Sequence, residues 1–384
     1  MHGTEIGHFN AMILAVMKAH YAIGDSTVGD ALKLVNYGKV DTDGMDAIAE
    51  ISIISVMREH DPNALVITEE IGSKGEIGIS TMPEPLAFRT IYISDPIDRS
   101  RQMELSIKDI PKNKLLKKVF RDPSFRTNWE KEYGAPASIT GGCSAITCIR
   151  HGSPLCAVIA NHITQQLFVS CSAGNFVIDL PPKMAKIDFD YIVKDGHGVP
   201  LTFPSIDGSD MRQFVTFMGK DGYKENLLAS KLVSERDLKK TLQYGLPGGP
   251  SRVLYLSSLY ASTGRKPIGF ILANGEKIGE WVHWLPFVRF ARSPWGSPAL
   301  KLSEIWQDRP GTKDGILKAT PPAYSIFKQI SKTDTRMILS NNVLANFDNP
   351  SIVRGTLIVA PYDNDWANRA TNQYGYRLIE FMPK

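Results

Sequence analysis

The stretch YISDPIDRSRQ, residues 92–102, limits what this chain can fold into more than any other. An alternating, strand-like run ends there in Asp95-Pro96-Ile97-Asp98, and a second apolar run upstream, LVITEE, ends in Glu69 and Glu70. Carboxylates gathered at neighbouring strand ends repel one another unless positive charge sits between them. A divalent cation supplies it most simply. Mg²⁺ prefers hard oxygen ligands in a tight octahedral shell; Asp95 and Asp98 offer carboxylates, the Ile97 carbonyl can face the same ion, and Pro96 stiffens the turn. Four such letters taken alone also suit a loop carboxylate capping a helix.

The flanking sequence supplies a scaffold. HFNAMILAVMKAHYAIGD and DGMDAIAEISIISVMREHDP carry apolar residues at helical spacing, the first with Gly24 as a stop, the second running from an acidic start to Asp61-Pro62. After them LVITEE, RTIYISD, SAITCIRHG, PLCAVIANHI and QLFVSCSAG are short apolar runs between turn residues, which predicts one mostly antiparallel sheet. KDGHGVPLTFPSIDGSD reads as a linker or inserted loop. Beyond it a strand-like RQFVTFMG precedes predicted helices over ENLLASKLVSERDLKKTLQYG and SRVLYLSSLYAST, a strand over IGFILANG and a helix over GEWVHWLPFVRFAR; the tail adds a strand in GTLIVAPYD and a helix in DWANRATNQYG. The expected organisation is an N-terminal α+β domain over 1–195 with the carboxylates, a C-terminal α/β domain over 196–330, and an extension over 331–384 packed on the second domain.

Charge and cysteines exclude several classes. With 44 Lys and Arg against 40 Asp and Glu, the chain has no excess that would mark a nucleic-acid polymer or a membrane surface as its partner. No apolar run approaches the roughly 20 residues that span a bilayer, and the N-terminus lacks a signal peptide's continuous apolar segment, so a cytoplasmic protein is expected. Cys143, Cys148, Cys156 and Cys171 alternate with apolar residues and form no Cys-x-x-Cys pair, which points to buried thiols. A basic segment, Lys108 to Arg126, follows the carboxylate turn and reads either as a lid over an anionic substrate or as a solvated helix face.

The order of these parts resembles the inositol monophosphatase and fructose-1,6-bisphosphatase superfamily. The likeness runs from the helix near Asp46 through Glu69-Glu70 and Asp-Pro-Ile-Asp to the strands SAITCIRHGSPLCAVIANHITQQLFVSCSAGNFVI. It resumes at GLPGGPSRVLYLSSLYAST and GEKIGEWVHW and ends with KDGILKATPPAYSIFKQI. It implies a layered α-β-α-β-α sandwich, Mg²⁺ as cofactor, a small phosphorylated sugar, polyol or nucleotide as substrate, and a homodimer. Carried over, Glu69, Asp95, the Ile97 carbonyl and Asp98 match the family's metal ligands, Glu70 a water-holding neighbour, and Glu280 a ligand from the metal helix of the second domain. Glu276 and Asp363 are further candidates. Asp46, with Ser100 supplying the hydroxyl, matches the pair that orients and deprotonates the attacking water; Asp43 competes for that role. Ser251 and Arg252 would face the substrate, and the backbone N–H groups of Arg99 and Ser100 would hold phosphate at a helix N-terminus.

The motif departs from its family at one place. Where the family reads Asp-Pro-Ile-Asp-Gly-Thr, this chain reads DPIDRS. Ser100 keeps the hydroxyl, but Arg99 replaces a residue that often permits positive φ or close ligand approach. Either Arg99 clamps a second anionic group of the substrate, or its guanidinium takes a cation's place and the chain is a pseudo-phosphatase of the same fold with a binding or assembly role.

Overall fold

The computed structural model describes residues 3–200, apart from 38, 69, 71–89, 135 and 151–152, and beyond them residues 234–240 and a set of strands up to 381. Helix α1 (Gly3–Asp25) buries Phe9, Met12, Ile13, Val16, Ala19 and Ile23, spaced three and four apart, along one face. Glu5 anchors its start by accepting the Ser172 backbone N–H at 3.0 Å and its hydroxyl at 2.9 Å. A short α2 (Val28–Ala31) follows, closed by a reciprocal Thr27–Asp30 capping box. The β1 (Leu34–Tyr37) and β2 (Lys39–Asp43) hairpin then leads directly into α3 (Gly44–His60). At Gly44 a Cβ would lie 2.1 Å from the Asp30 carbonyl oxygen, so only glycine lets the chain enter α3 under α2.

The first large sheet has seven strands in the order of the chain: β3 (Leu65–Thr68), β4 (Thr90–Asp98), β5 (Cys143–Arg150), β6 (Ser153–Asn161), β7 (Gln166–Cys171), β8 (Gly174–Asp179) and β9 (Val199–Pro200). The β3–β4 pair is parallel and every other neighbour antiparallel, as the alternating runs predict. Helix α1 lies against β5, β6 and α3, and α3 against β4, so the core is the helix pair packed on the sheet. Between β4 and β5 come α4 (Ser100–Ile107), α5 (Leu116–Phe120), α6 (Pro123–Tyr133) and α7 (Ala137–Thr140). All four cysteines are buried thiols outside any disulfide. Among the described residues no helix is long and apolar enough to cross a membrane.

The second large sheet contains β10 (Phe214–Phe217), β11 (Leu242–Tyr244), β12 (Gly269–Glu280), β13 (Leu300–Ile305), β16 (Asn349–Pro361) and β17 (Arg377–Phe381), with β14 (Thr335–Met337) at one edge and β15 (Ala345–Asn346) beside β16. Here β10 is parallel to both β11 and β12, while β16 runs antiparallel to β12 and β13. Strands from 196–330 and from 331–384 thus share one sheet.

Two expected helices change. The one predicted over ENLLASKLVSERDLKKTLQYG contains instead a four-residue helix, Glu235–Leu238, started by its own Ser234–Asp237 capping box, and then β11. A fresh N-cap at Ser234 cannot sit inside a continuous helix, and Leu242-Gln243-Tyr244 find ladder partners on β10. The helix predicted from Gly279 is corrected at its start: Gly279 and Glu280 close β12, opposite Val353 and Ile352. The helices predicted over 251–263 and 365–375 lie outside the described residues.

Candidate functional site

The β4–β5 ladder shows that Asp-Pro-Ile-Asp forms a bulge and not a plain strand end. Asp95 pairs with Ala145 and Asp98 with Cys143, so three steps on β4 match two on β5. On a regular strand, residues three apart point to opposite faces; the extra residue of this bulge returns Asp98 to the face of Asp95. Both aspartates and Ile97 are buried. The neighbouring Cys143 thiol feels both: burial pushes it well up, Asp98 and Asp95 add to the rise, and Arg99 opposes it. Ser144 fixes the turn from below, its hydroxyl donating to the Pro96 carbonyl at 2.5 Å.

Arg99 then turns the chain into α4 with φ 72° and ψ 29°, the left-handed conformation that favours glycine. The non-glycine residue at this turn is held there by its side chain. Its Nη1 donates to the Thr140 carbonyl at 3.0 Å, and the guanidinium lies over the Tyr133 ring, 5.5 Å from the centroid. Trp129 Nε1–H in turn donates to the Thr140 hydroxyl at 2.9 Å, tying α6 and α7 to the turn. Among the described residues no ion pair joins Arg99 to Asp95 or Asp98. Ser100 is the first residue of α4, half-buried, where unpaired backbone donors begin.

On the other side, α3 contributes Asp46, buried in its first turn. Asp43, the competing candidate, is the N-cap residue of α3 without a side-chain capping bond. Burial raises its pKa above the usual carboxylate range, Glu104 and Glu70 add to that, and Arg101 works against it. Glu70 is buried and accepts a hydrogen bond from the Thr42 hydroxyl at 2.8 Å, which links the end of β2 to the segment after β3.

Asp43, at the junction of β2 and α3, thus feels Glu70 from the segment after β3 and Glu104 and Arg101 from α4, while Asp95, Asp98 and Arg99 of the β4–α4 turn act on Cys143. Glu69, Ser251, Arg252 and Asp363 lie outside the described residues. Glu280 and Glu276 lie on β12, so the helix expected to carry Glu280 is replaced at that point by a strand. Sequence reasoning missed Glu50. It is fully buried one turn beyond Asp46 and accepts the Thr68 hydroxyl hydrogen bond, a contact announced only by the i, i+4 spacing of the two acids. Arg99's braces, Tyr133 and Thr140, had no local signal.

The oxygen-only donor set of Asp95, Asp98 and the Ile97 carbonyl suits a hard divalent cation. Among the described residues no group of three or more His, Cys, Asp or Glu side chains is arranged to hold an ion by itself. The fit therefore rests on two carboxylates and a carbonyl, with Glu69 beyond view.

CysQ from Bacteroides thetaiotaomicron, described as a bacterial member of the inositol monophosphatase family, matches with a TM-score of 0.51 over 91% of this chain and 96% of that one, at 11% identity. The chain has the inositol monophosphatase fold. An inositol monophosphatase from Zymomonas mobilis is also similar, with a TM-score of 0.47, 12% identity, and coverage of 96% of this chain and 97% of that one. No protein-family model and no curated protein sequence matches. At such identities the likeness establishes the inositol monophosphatase fold and its α/β class, and the chemistry has to be argued from this chain's own residues.

Proposed function

We propose that this chain is a Mg²⁺-dependent phosphomonoesterase acting on a small phosphorylated sugar, polyol or nucleotide. The observation that carries the reading is the β4 bulge, which sets two buried aspartates on one face immediately before the N-terminus of α4. Asp95, Asp98 and the Ile97 carbonyl would hold Mg²⁺, with Glu69, Glu70 and Glu280 as the further ligands or neighbours that the resemblance assigns. Bound Mg²⁺ supplies positive charge against the phosphoryl oxygens.

The protein's own groups do the rest. The backbone N–H groups of Arg99 and Ser100 donate to the phosphate, where the helix dipole favours an anion. Asp46 takes the proton of the attacking water, and the Ser100 hydroxyl orients it. The water oxygen bonds to phosphorus as the ester P–O bond breaks in line, and the leaving oxygen takes a proton from solvent. Arg99, braced on Tyr133 and Thr140, keeps the turn in shape rather than filling a cation's place, and this favours the enzyme over the pseudo-phosphatase.

The test is phosphate release from a panel of sugar, polyol and nucleotide monophosphates, with and without Mg²⁺. Release that requires Mg²⁺ and disappears in Asp95→Asn is expected. No release from any member, with the protein folded and Mg²⁺ present, refutes the reading.

A further inference from the structure

At the C-terminal end of α1, well apart in sequence from the carboxylates, a pocket of about 270 Å³ opens between α1, α5 and the turn joining β6 to β7. It exists because the basic segment after α4 is stitched to the end of α1. Val28 N–H donates to the Lys114 carbonyl at 2.9 Å, Gly29 N–H to that of Lys112 at 2.8 Å, and Leu116 N–H to that of Ser26 at 3.0 Å. A Cβ at Gly24 would already stand 3.3 Å from the Lys117 Cβ, so α5 seats closely there.

The lining is cationic at the rim and apolar on one wall. Lys117, Arg121 and Lys183 face a single acid, Asp25, which Lys117 engages at 2.6 Å; two positive charges remain. Arg121 Nη2 donates to the Pro182 carbonyl at 2.6 Å, which fixes the guanidinium and leaves other N–H donors of its fork. Phe120 and the exposed Met184 supply the apolar wall, and buried His20 with Gln165 the polar floor. The volume lies just under the roughly 300–1,000 Å³ typical of ligand pockets, so the occupant is small.

From that floor a buried hydrogen-bonded chain runs to the carboxylate turn. His20 Nδ1 and His162 Nδ1 are 3.0 Å apart, His162 Nε2 and Ser144 Oγ 2.9 Å, and Ser144 donates to the Pro96 carbonyl. The two rings are nearly coplanar, 5° apart with centroids at 5.3 Å, as an in-plane N–H···N bond requires. Gln165 lines the pocket beside His20, and its amide nitrogen donates to the His162 carbonyl at 2.5 Å.

We propose that this pocket binds a small phosphate-bearing anion, and that its occupancy is passed along His20, His162 and Ser144 to the Pro96 carbonyl beside the candidate metal ligands. Burial lowers the pKa of both rings, His20 to about 4, so each is neutral and carries one hydrogen. Two complete arrangements follow. In the first, His20 Nδ1–H donates to His162, His162 Nε2–H donates to Ser144, and Ser144 O–H donates to Pro96. In the second, His20 Nε2–H faces the pocket, His162 Nδ1–H donates to His20, and Ser144 turns its hydroxyl to His162, withdrawing it from Pro96; the passage takes one proton from water at His20 Nε2 and returns one to water from Ser144, so net protonation is unchanged. An anion accepting from His20 Nε2–H selects the second. A discrete two-state element of this kind is what transmission between sites needs.

The binding half needs no turnover and stands or falls apart from the phosphatase reading; only the meaning of the transmitted change rests on that reading. Calorimetric titration without Mg²⁺ uses inorganic phosphate and phenylphosphonate, a dianion whose P–C bond a phosphatase cannot hydrolyse. Wild type and Asp95→Asn are expected to bind alike, while Lys183→Glu, at an exposed side chain, and Arg121→Gln weaken binding at least about tenfold. No binding, or binding lost in Asp95→Asn and kept in Lys183→Glu, overturns the pocket. Nitrogen-15 spectra of the imidazoles read the transmission: saturation should place the protons on His20 Nε2 and His162 Nδ1. Unmoved imidazole spectra at saturation overturn it.

Discussion

The Arg99 guanidinium lies over the Tyr133 ring while its own backbone occupies a left-handed turn. Two opposing terms meet in that residue. Left-handed backbone costs a non-glycine residue about 1–2 kcal/mol, and the ring contact with the bond to Thr140 returns roughly as much, about 0.5–1 kcal/mol for the first and 0.5–1.5 for the second. Arg99→Gly should therefore change unfolding free energy by less than about 1 kcal/mol, measured in urea. Mg²⁺ affinity by calorimetry should stay the same. New Mg²⁺ binding in Arg99→Gly, absent from the wild type, would mean that the guanidinium had replaced a cation after all.

Asp95→Asn and Asp98→Asn each remove one buried charge from the shared face of the β4 bulge. Both should abolish Mg²⁺-dependent phosphate release and weaken Mg²⁺ binding, with the fold kept because repulsion between the carboxylates is lost. Unchanged turnover in Asp95→Asn would remove it from the site.

Asp46 and Asp43 separate in kinetics and in stability. Asp46→Asn should lower the rate and spare Mg²⁺ affinity, as expected of a group that handles a proton. Asp43 has a raised pKa in the fold, mainly from burial, so its stabilising contribution is full below the unfolded pKa and is lost as pH rises through the folded value. Asp43→Asn should then be more stable than wild type at neutral pH by thermal unfolding. A lower melting temperature there would give Asp43 a structural partner that matters more than its charge.

Thr42→Val keeps the shape of the side chain and deletes the hydroxyl that Glu70 accepts. A bond to a buried charged group is worth about 1.5–3 kcal/mol, so the loss should fall in that range by urea unfolding. A loss below a few tenths would show that the hydroxyl gives its hydrogen to the Tyr37 carbonyl, also at 2.8 Å, rather than to Glu70.

Much of the site was legible because its signals are local. Asp-Pro-Ile-Asp after an alternating run, and two helices with clean apolar spacing, depend on residues within a few positions of one another, and the strands over 143–171 alternate in the same way. What escaped notice depended on distance. Tyr133 and Thr140 brace Arg99 from 34 and 41 residues away, and His20 meets His162 across 142; no periodicity encodes such meetings. The helix expected over residues 225–245 was misread because a capping box inside it, Ser234 to Asp237, was passed over. The helix expected after Gly279 failed at its start for the opposite reason: its first residues continue a ladder with β16 that lies over 70 residues further along the chain.

His20 gives the fold a pH dependence of definite sign. Burial holds its pKa down at about 4, Gln165 partly opposes this, and Arg121 adds to it, while the unfolded chain would return it to the usual 6.5. A depressed folded pKa means that unfolding takes up a proton, so the contribution is fully present above pH 6.5 and is lost as pH falls through about 4. The two values differ enough for a loss of roughly 3 kcal/mol across that window, and His162, also lowered by burial, adds to it in the same direction. Unfolding in urea at a series of pH values should show stability falling through this range in wild type and less steeply in His20→Asn. Curves of equal slope would mean that His20 titrates as an ordinary exposed imidazole, which would also remove the neutral ring from the chain that ends at Pro96.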